Sequence, residues 1–128
     1  MTSQKKKVLL VDDSMTAMFM QETILAARYA VVRASNGEEA IAKAIAERPD
    51  LILLDVVMPK MDGFEACARL RAESATQETP IIMVTTRGEE QNVERGFAVG
   101  CTDYVTKPIN GLELLTKLNN ILGLAAAS

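Results

Sequence analysis

Histidine is absent from this 128-residue chain, and that one omission removes several kinds of chemistry. A Ser-His-Asp triad, a His-ligated zinc and an imidazole base all need a residue the chain does not have. Cysteine is scarce: Cys67 and Cys101 stand apart with no ligand spacing. Two thiols make no disulfide framework, so both read as small core residues. No apolar run approaches the about 18 residues a transmembrane helix needs. The run that follows Lys5-Lys6-Lys7 is only four residues long, too short for a signal peptide. The chain is therefore expected to be soluble and cytoplasmic. Basic residues do not dominate either, with 14 against 17 acidic and a net charge of −3. The single lysine run reads as a solvated terminus, which argues against nucleic acid as a partner. Glycine is missing from the turn after the first apolar run, "DDSMTAMF", so no loop there cradles a phosphate, and no P-loop occurs elsewhere. What remains for chemistry is carboxylates, hydroxyls, lysine and a hard metal ion.

The length suits one domain whose core buries roughly two-thirds of the unfolded surface. No linker, repeat or low-complexity tract divides it. Short apolar runs alternate with helical patterns: Val8 to Val11, Val31-Val32, Leu51 to Leu54, Ile81 to Val84 and Tyr104-Val105. Continuous apolarity in such short runs suits strands buried on both faces of a parallel sheet. Helices are predicted over 15–28 after the cap Ser14, 37–47, 63–73 after Asp62, 89–98, and 111–122 after Asn110. The first is apolar almost all round, and its core stripe is read as Ala17, Met20, Ile24 and Leu25. The stripe of the last is read as Leu112, Leu115, Leu118 and Leu122. Five β-α units imply a doubly wound sheet with helices on both faces, and such sheets bind ligands beyond the carboxyl ends of their strands.

Four of those ends carry functional groups. Asp12 and Asp13 follow the first run, Asp55 the third, Thr85 and Thr86 the fourth, and Lys107 the fifth. The second run offers nothing comparable, so it belongs at an edge. The order 2-1-3-4-5 would bring the other four ends side by side. Clustered carboxylates repel one another, and a divalent cation relieves the repulsion. Oxygen-only ligands favour Mg²⁺, or Mn²⁺. Phosphoryl transfer needs a nucleophile, charge neutralisation and positioning. Asp55 can be the nucleophile, the ion and Lys107 the charge stabilisers, and Thr85 a hydroxyl donor.

With an acid pair, then "DVVMPKMDG", then "VTT", then "GCTDYVTKP", the chain resembles the receiver domains of two-component response regulators, in particular the single-domain chemotaxis type. The resemblance covers about residues 6–122. It implies a flavodoxin-like (βα)5 sandwich as a single domain over 1–128. It implies that Asp55 accepts a phosphoryl group from a phosphohistidine of a sensor kinase or histidine phosphotransfer protein. The metal would be held by Asp13, Asp55 and the Val57 carbonyl, with Asp12 acting mainly through water. Lys107 would pair with the phosphoryl oxygens, and the Lys107-Pro108 bond would be cis. Thr85 would swing toward the phosphoryl group and Tyr104 would follow, altering a face built from 89–98, 103–106 and 111–122 that meets an output partner. By the same resemblance the chain is no conventional enzyme, though it would catalyse its own phosphorylation and slow autodephosphorylation.

Val57 and Arg87 lie where this family tunes acyl-phosphate lifetime. Val57 cannot hydrogen-bond an attacking water and Arg87 is large and cationic, which suggests slow to intermediate decay. Thr86 would narrow the phosphate pocket. Met15, Met18 and Phe19 are candidates for a phosphodonor docking patch. The chain ends in "GLAAAS" soon after the last helix and is read as a stand-alone regulator acting as a monomer; a receiver excised from a larger regulator is the alternative. Other acid-bearing folds fit less well. Haloacid dehalogenase-like phosphatases and Toprim-like nucleases need an Asp-x-Asp, and Asp55 is followed by Val56 and Val57. The competing functional class is a pseudo-receiver, a docking module that never turns over phosphate.

Overall fold

The computed structural model describes residues 5–86 and 89–123. Five strands and five helices alternate along the chain: β1 (Lys7–Val11), α1 (Met15–Leu25), β2 (Ala30–Ala34), α2 (Gly37–Glu47), β3 (Leu51–Asp55), α3 (Gly63–Ala72), β4 (Ile81–Thr86), α4 (Glu90–Ala98), β5 (Asp103–Lys107) and α5 (Gly111–Leu122). The strands form one parallel sheet in the order β2-β1-β3-β4-β5. This is the doubly wound, flavodoxin-like arrangement that the alternation predicts.

Side-chain alternation splits the core into two layers. Val8, Leu10, Leu51, Leu53, Ile82, Val84 and Val105 face α1 and α5. Leu9, Val11, Ile52, Leu54, Ile81 and Met83 face α2, α3 and α4. Every residue of β3 is buried, whereas the edge strand β2 is only half-buried over most of its length. Burying each such side chain contributes roughly 1.5–3 kcal/mol against the entropy of ordering the chain. No helix among the described residues is long and apolar enough to cross a membrane. Cys67 and Cys101 are free and buried.

Side chains cap four of the helices. Ser14, Asn36, Asp62 and Asn110 each accept a backbone N–H from the third residue on, satisfying one of the donors a helix start leaves unpaired. The start of α4 at Glu89 has no such bond. Helix α1 ends at Leu25, three residues before the predicted 28. The Arg28 and Tyr29 N–H groups both return to Leu25 O, and the turn delivers Tyr29 into the core, where its hydroxyl donates to Asn119 on α5.

Two stripes differ from expectation. On α1 the buried residues are Met18, Gln21 and Leu25, while Met20 is exposed. An apolar surface all round leaves periodicity without a phase. On α5 the buried residues are Leu114, Leu118 and Asn119, and Leu112 is 77% exposed. Four of the methionines, Met18, Met58, Met61 and Met83, fill the core, while Met15 and Met20 stand on the surface of α1.

Arg71, on α3, ties the loops at the amino-terminal edge of the sheet. Its Nε donates to Gly100 O at 2.8 Å and its Nη1 to the carbonyls of Thr76, Gln77 and Thr79 at 3.2, 3.2 and 2.7 Å. Replacing it removes several charge-assisted bonds at once. Arg71→Leu should therefore cost about 2–3 kcal/mol in urea unfolding. Arg69→Leu, which breaks only an exposed pair with Glu65, should cost less than about 0.5 kcal/mol.

Candidate functional site

Alternation along the strands decides which side chains meet. Asp12 continues the parity of Val8 and Leu10, Asp55 that of Leu51 and Leu53, and Lys107 that of Val105, all toward α1 and α5. Register completes the alignment, with Val11 opposite Leu54 and Asp55 opposite Val84. One carboxylate oxygen from each of Asp12, Asp13 and Asp55 lies within 4.8 Å of the other two. Lys107 Nζ sits 3.3 Å from Asp55 Oδ2 and 3.5 Å from Asp12 Oδ2.

The three acids are not equivalent. Asp12 and Asp55 are buried; Asp13 is exposed. Asp12 is held by a side-chain amide as well as a backbone N–H. Its Oδ1 accepts the Ser14 N–H at 2.9 Å and its Oδ2 accepts the Gln21 amide at 3.2 Å. Asp13 accepts no hydrogen bond among the described residues. Burial, and then the Asp12 charge, push the Asp55 carboxyl from its ordinary 3.8 up to about 6; Lys107 and the Val57 N–H only partly draw it back. Burial pulls Lys107 down, but Asp55 and Asp12 outweigh it and the net shift is upward.

The loop after Asp55 returns tightly onto it. The Gly63 N–H donates to Val56 O at 2.8 Å. A Cβ at Gly63 would lie 2.3 Å from Asp55 O and 2.8 Å from Val56 Cα, so only glycine fits behind Asp55. Lys60 takes the left-handed conformation, φ 71°, and lets Met58 and Met61 turn inward beneath the loop. Val57 is left 65% exposed at its rim. Across the site the Lys107-Pro108 peptide is cis.

Thr85 is buried with the opposite parity, on the side of α3 and α4. Asn92 Nδ2 of α4 approaches its Oγ1 at 3.4 Å. Tyr104 is half-buried on the neighbouring strand, its ring edge-on to Phe97 at 6.2 Å between centroids and beneath Lys117 Nζ at 4.9 Å. Thr86 is exposed at the strand end. Arg87 lies outside the described residues. Of the docking trio, Met15 and Phe19 are 87% and 71% exposed, but Met18 is buried in the core beneath them. Met18 is thereby corrected from surface to core: it sits at i+3 from Met15, on the helix face that meets the sheet. Met15 and Phe19 overlook a cavity of about 370 Å³ that reaches Asp12, Asp13 and Lys43.

Sequence reasoning passed over Gln21 and Asn92. The signal for Gln21 was a polar residue three after Met18 and four before Leu25; that for Asn92 was an amide in the first turn of the helix after Thr85.

A parallel sheet in this order, with an acidic cup at its switch point, defines a flavodoxin-like α/β domain. Within that class the chain belongs to the response regulator receiver domain family, whose model matches residues 8–119. It is 42% identical over 118 residues to the alkaline phosphatase synthesis transcriptional regulatory protein PhoP of Bacillus subtilis, covering 91% of this chain and 48% of that one. It is 38% identical over 117 residues to protein PilH of Pseudomonas aeruginosa, covering 91% and 97%. The chain thus spans about half the length of PhoP and nearly all of PilH. Among solved structures, chemotaxis protein CheY4 of Vibrio cholerae matches with a TM-score of 0.86 at 42% identity, over 91% of this chain and 98% of that one. The receiver domain of sensor histidine kinase PA1611 of Pseudomonas aeruginosa, with a magnesium ion coordinated in its active site cleft, matches with a TM-score of 0.86 at 30% identity, over 93% and 98%.

The raised Asp55 has a consequence in metal-free protein. A folded pKa of about 6 against 3.8 means that the folded state holds the proton more tightly. The stability this contributes is complete below about pH 4 and is lost as pH rises through about 6. In EDTA, wild type should lose about 2–3 kcal/mol relative to Asp55→Asn between about pH 4 and 7, measured by urea unfolding across pH.

Proposed function

We propose that this receiver domain is a phosphorylation-activated switch with Asp55 as its phosphoacceptor. The observation that carries the reading is the shared ammonium: Lys107 lies within 3.3 and 3.5 Å of two buried carboxylates, in a cup whose charge it does not neutralise. The oxygen-only donor set fits a hard divalent cation, Mg²⁺ or Mn²⁺. Asp12, Asp13 and Asp55 would hold it, together with the Val57 carbonyl. When bound, the ion neutralises charge that develops on the phosphoryl oxygens. Asp13, exposed and unengaged, suits direct contact; Asp12, already hydrogen-bonded, suits contact through water.

The chain's own residues do the rest. An ionised Asp55 oxygen attacks the phosphorus of a phosphohistidine on a kinase or phosphotransfer partner. The P–N bond breaks, its electron pair leaves with the imidazole nitrogen, and Asp55 carries an acyl phosphate. Lys107 follows the charge from carboxylate to phosphoryl oxygens. Thr85 then turns its hydroxyl from Asn92 toward the new acceptor, and Tyr104 shifts, altering the face of α4, β5 and α5 presented to an output partner. Met15 and Phe19, beside the cup, are the surface proposed for the donor. Thr86 narrows the phosphate pocket at its rim.

Incubation with Mg²⁺ and acetyl phosphate, read by intact mass, should add one phosphoryl group to wild type and none to Asp55→Asn. Beryllofluoride with Mg²⁺ should shift the amide resonances of α4 and β5 in wild type alone. A wild type inert to both reagents would establish the pseudo-receiver instead. Val57 cannot position a water, so Val57→Asn should speed loss of the acyl phosphate several-fold in stopped-flow decay; an unchanged rate removes Val57 from that role.

A further inference from the structure

Gln21 is a buried polar residue with no place in the phosphoryl-transfer scheme above. It lies in the core stripe of α1 at 2% exposure, where an apolar residue would pack as well. Its Nε2 donates to Asp12 Oδ2 at 3.2 Å. Its Oε1 is the one buried side-chain polar atom among the described residues that meets no protein partner. Reversing the amide would set oxygen against carboxylate oxygen, so electrostatics fix its orientation. An unmet buried acceptor is a standing cost that leucine or methionine would not carry. What the cost secures is the donor half of the amide, and that half goes to a carboxylate of the acidic cup.

The arrangement around Asp12 shows what the donor does. Ser14 N–H holds Oδ1, while Gln21 and Lys107 share Oδ2. The Ser14 bond alone leaves the carboxylate free to rotate about it. With Gln21 absent, Oδ2 has only Lys107 to satisfy it, and the ammonium is drawn from Asp55 toward Asp12. We propose that Gln21 is a positioning residue for the Mg²⁺ site: its amide fixes the plane of the Asp12 carboxylate and so divides Lys107 between Asp12 and Asp55. This rests on the reading of the cup as a Mg²⁺ site, and it concerns a residue that touches neither ion nor phosphoryl group.

The test compares wild type, Gln21→Leu and Gln21→Met in three measurements. These are calorimetric titration with Mg²⁺, thermal unfolding in EDTA, and the metal-free amide resonance of Ser14. Both variants should bind Mg²⁺ about tenfold more weakly, the scale of losing a partner of a metal ligand. Without metal both should unfold near the wild-type temperature, because loss of the amide's bond to Asp12 and removal of its unpartnered oxygen offset one another. The Ser14 amide should move in both, because its acceptor is no longer held. Wild-type Mg²⁺ affinity within about twofold in the variants overturns the proposal. So does a fall in affinity accompanied by a large fall in metal-free unfolding temperature, or a failure of both variants to fold, since either makes Gln21 structural. A wild type that binds no Mg²⁺ instead overturns the reading of the cup, and the proposal with it, and that result shows in the wild-type titration alone.

Discussion

Like charge held at close quarters governs this molecule. Three carboxylate oxygens lie within 4.8 Å of one another, on residues two of which are buried. Lys107 is a single cation shared between two of them. The result is a site whose groups are set against their neighbours: Asp55 is pushed up to about 6 by burial and by Asp12. Perturbed titration of this kind, with a cause in burial and a charged neighbour, clusters at functional sites. Around it the fold spends backbone and side-chain donors on Asp12, and leaves Asp13 and the rim at Val57 open.

The two sides of the sheet serve this site differently. On the side of α1 and α5, the Tyr29 to Asn119 bond joins the helices across the core, and Gln21 reaches from α1 to Asp12. On the other side, α4 starts without the side-chain cap that α1, α2, α3 and α5 possess. A missing cap is worth about 1 kcal/mol. The same helix supplies Asn92 to Thr85, Phe97 to Tyr104, and Arg95 to the Phe64 ring at 4.3 Å. The acids and Lys107 are held from one side of the sheet, and Thr85 and Tyr104 pack on the other, against the helix whose first residue lacks a side-chain cap.

Much of this was legible in the sequence, for definite reasons. Strand runs, their order and four strand ends follow from short apolar segments punctuated by acids, hydroxyls and Lys-Pro. The caps Ser14, Asp62 and Asn110 were legible because capping is local chemistry. The stripes of α1 and α5 were not, because α1 is apolar on every side and α5 carries Leu at 112, 114, 115, 118 and 122, more leucines than one face can hold. Met18 looked like surface for the same reason. Gln21, Asn92 and Arg71 act through partners far along the chain or in another element, and no local pattern announces such partners.

The alternation that aims Asp12, Asp55 and Lys107 to one side has a consequence for how such a chain can change length. Adding or removing one residue within β1, β3 or β5 would turn its terminal functional group through the sheet to the opposite layer. Two-residue changes would keep the side but slide the group about 7 Å along the strand. Neither leaves the cup intact. Length can vary without moving the acids only at the amino-terminal edge, away from the cup, and there it costs the Arg71 bonds to the loops 76–79 and 100. Insertions and deletions should therefore gather at one edge of the sheet, so the layout of the site divides the chain into segments of fixed and of free length.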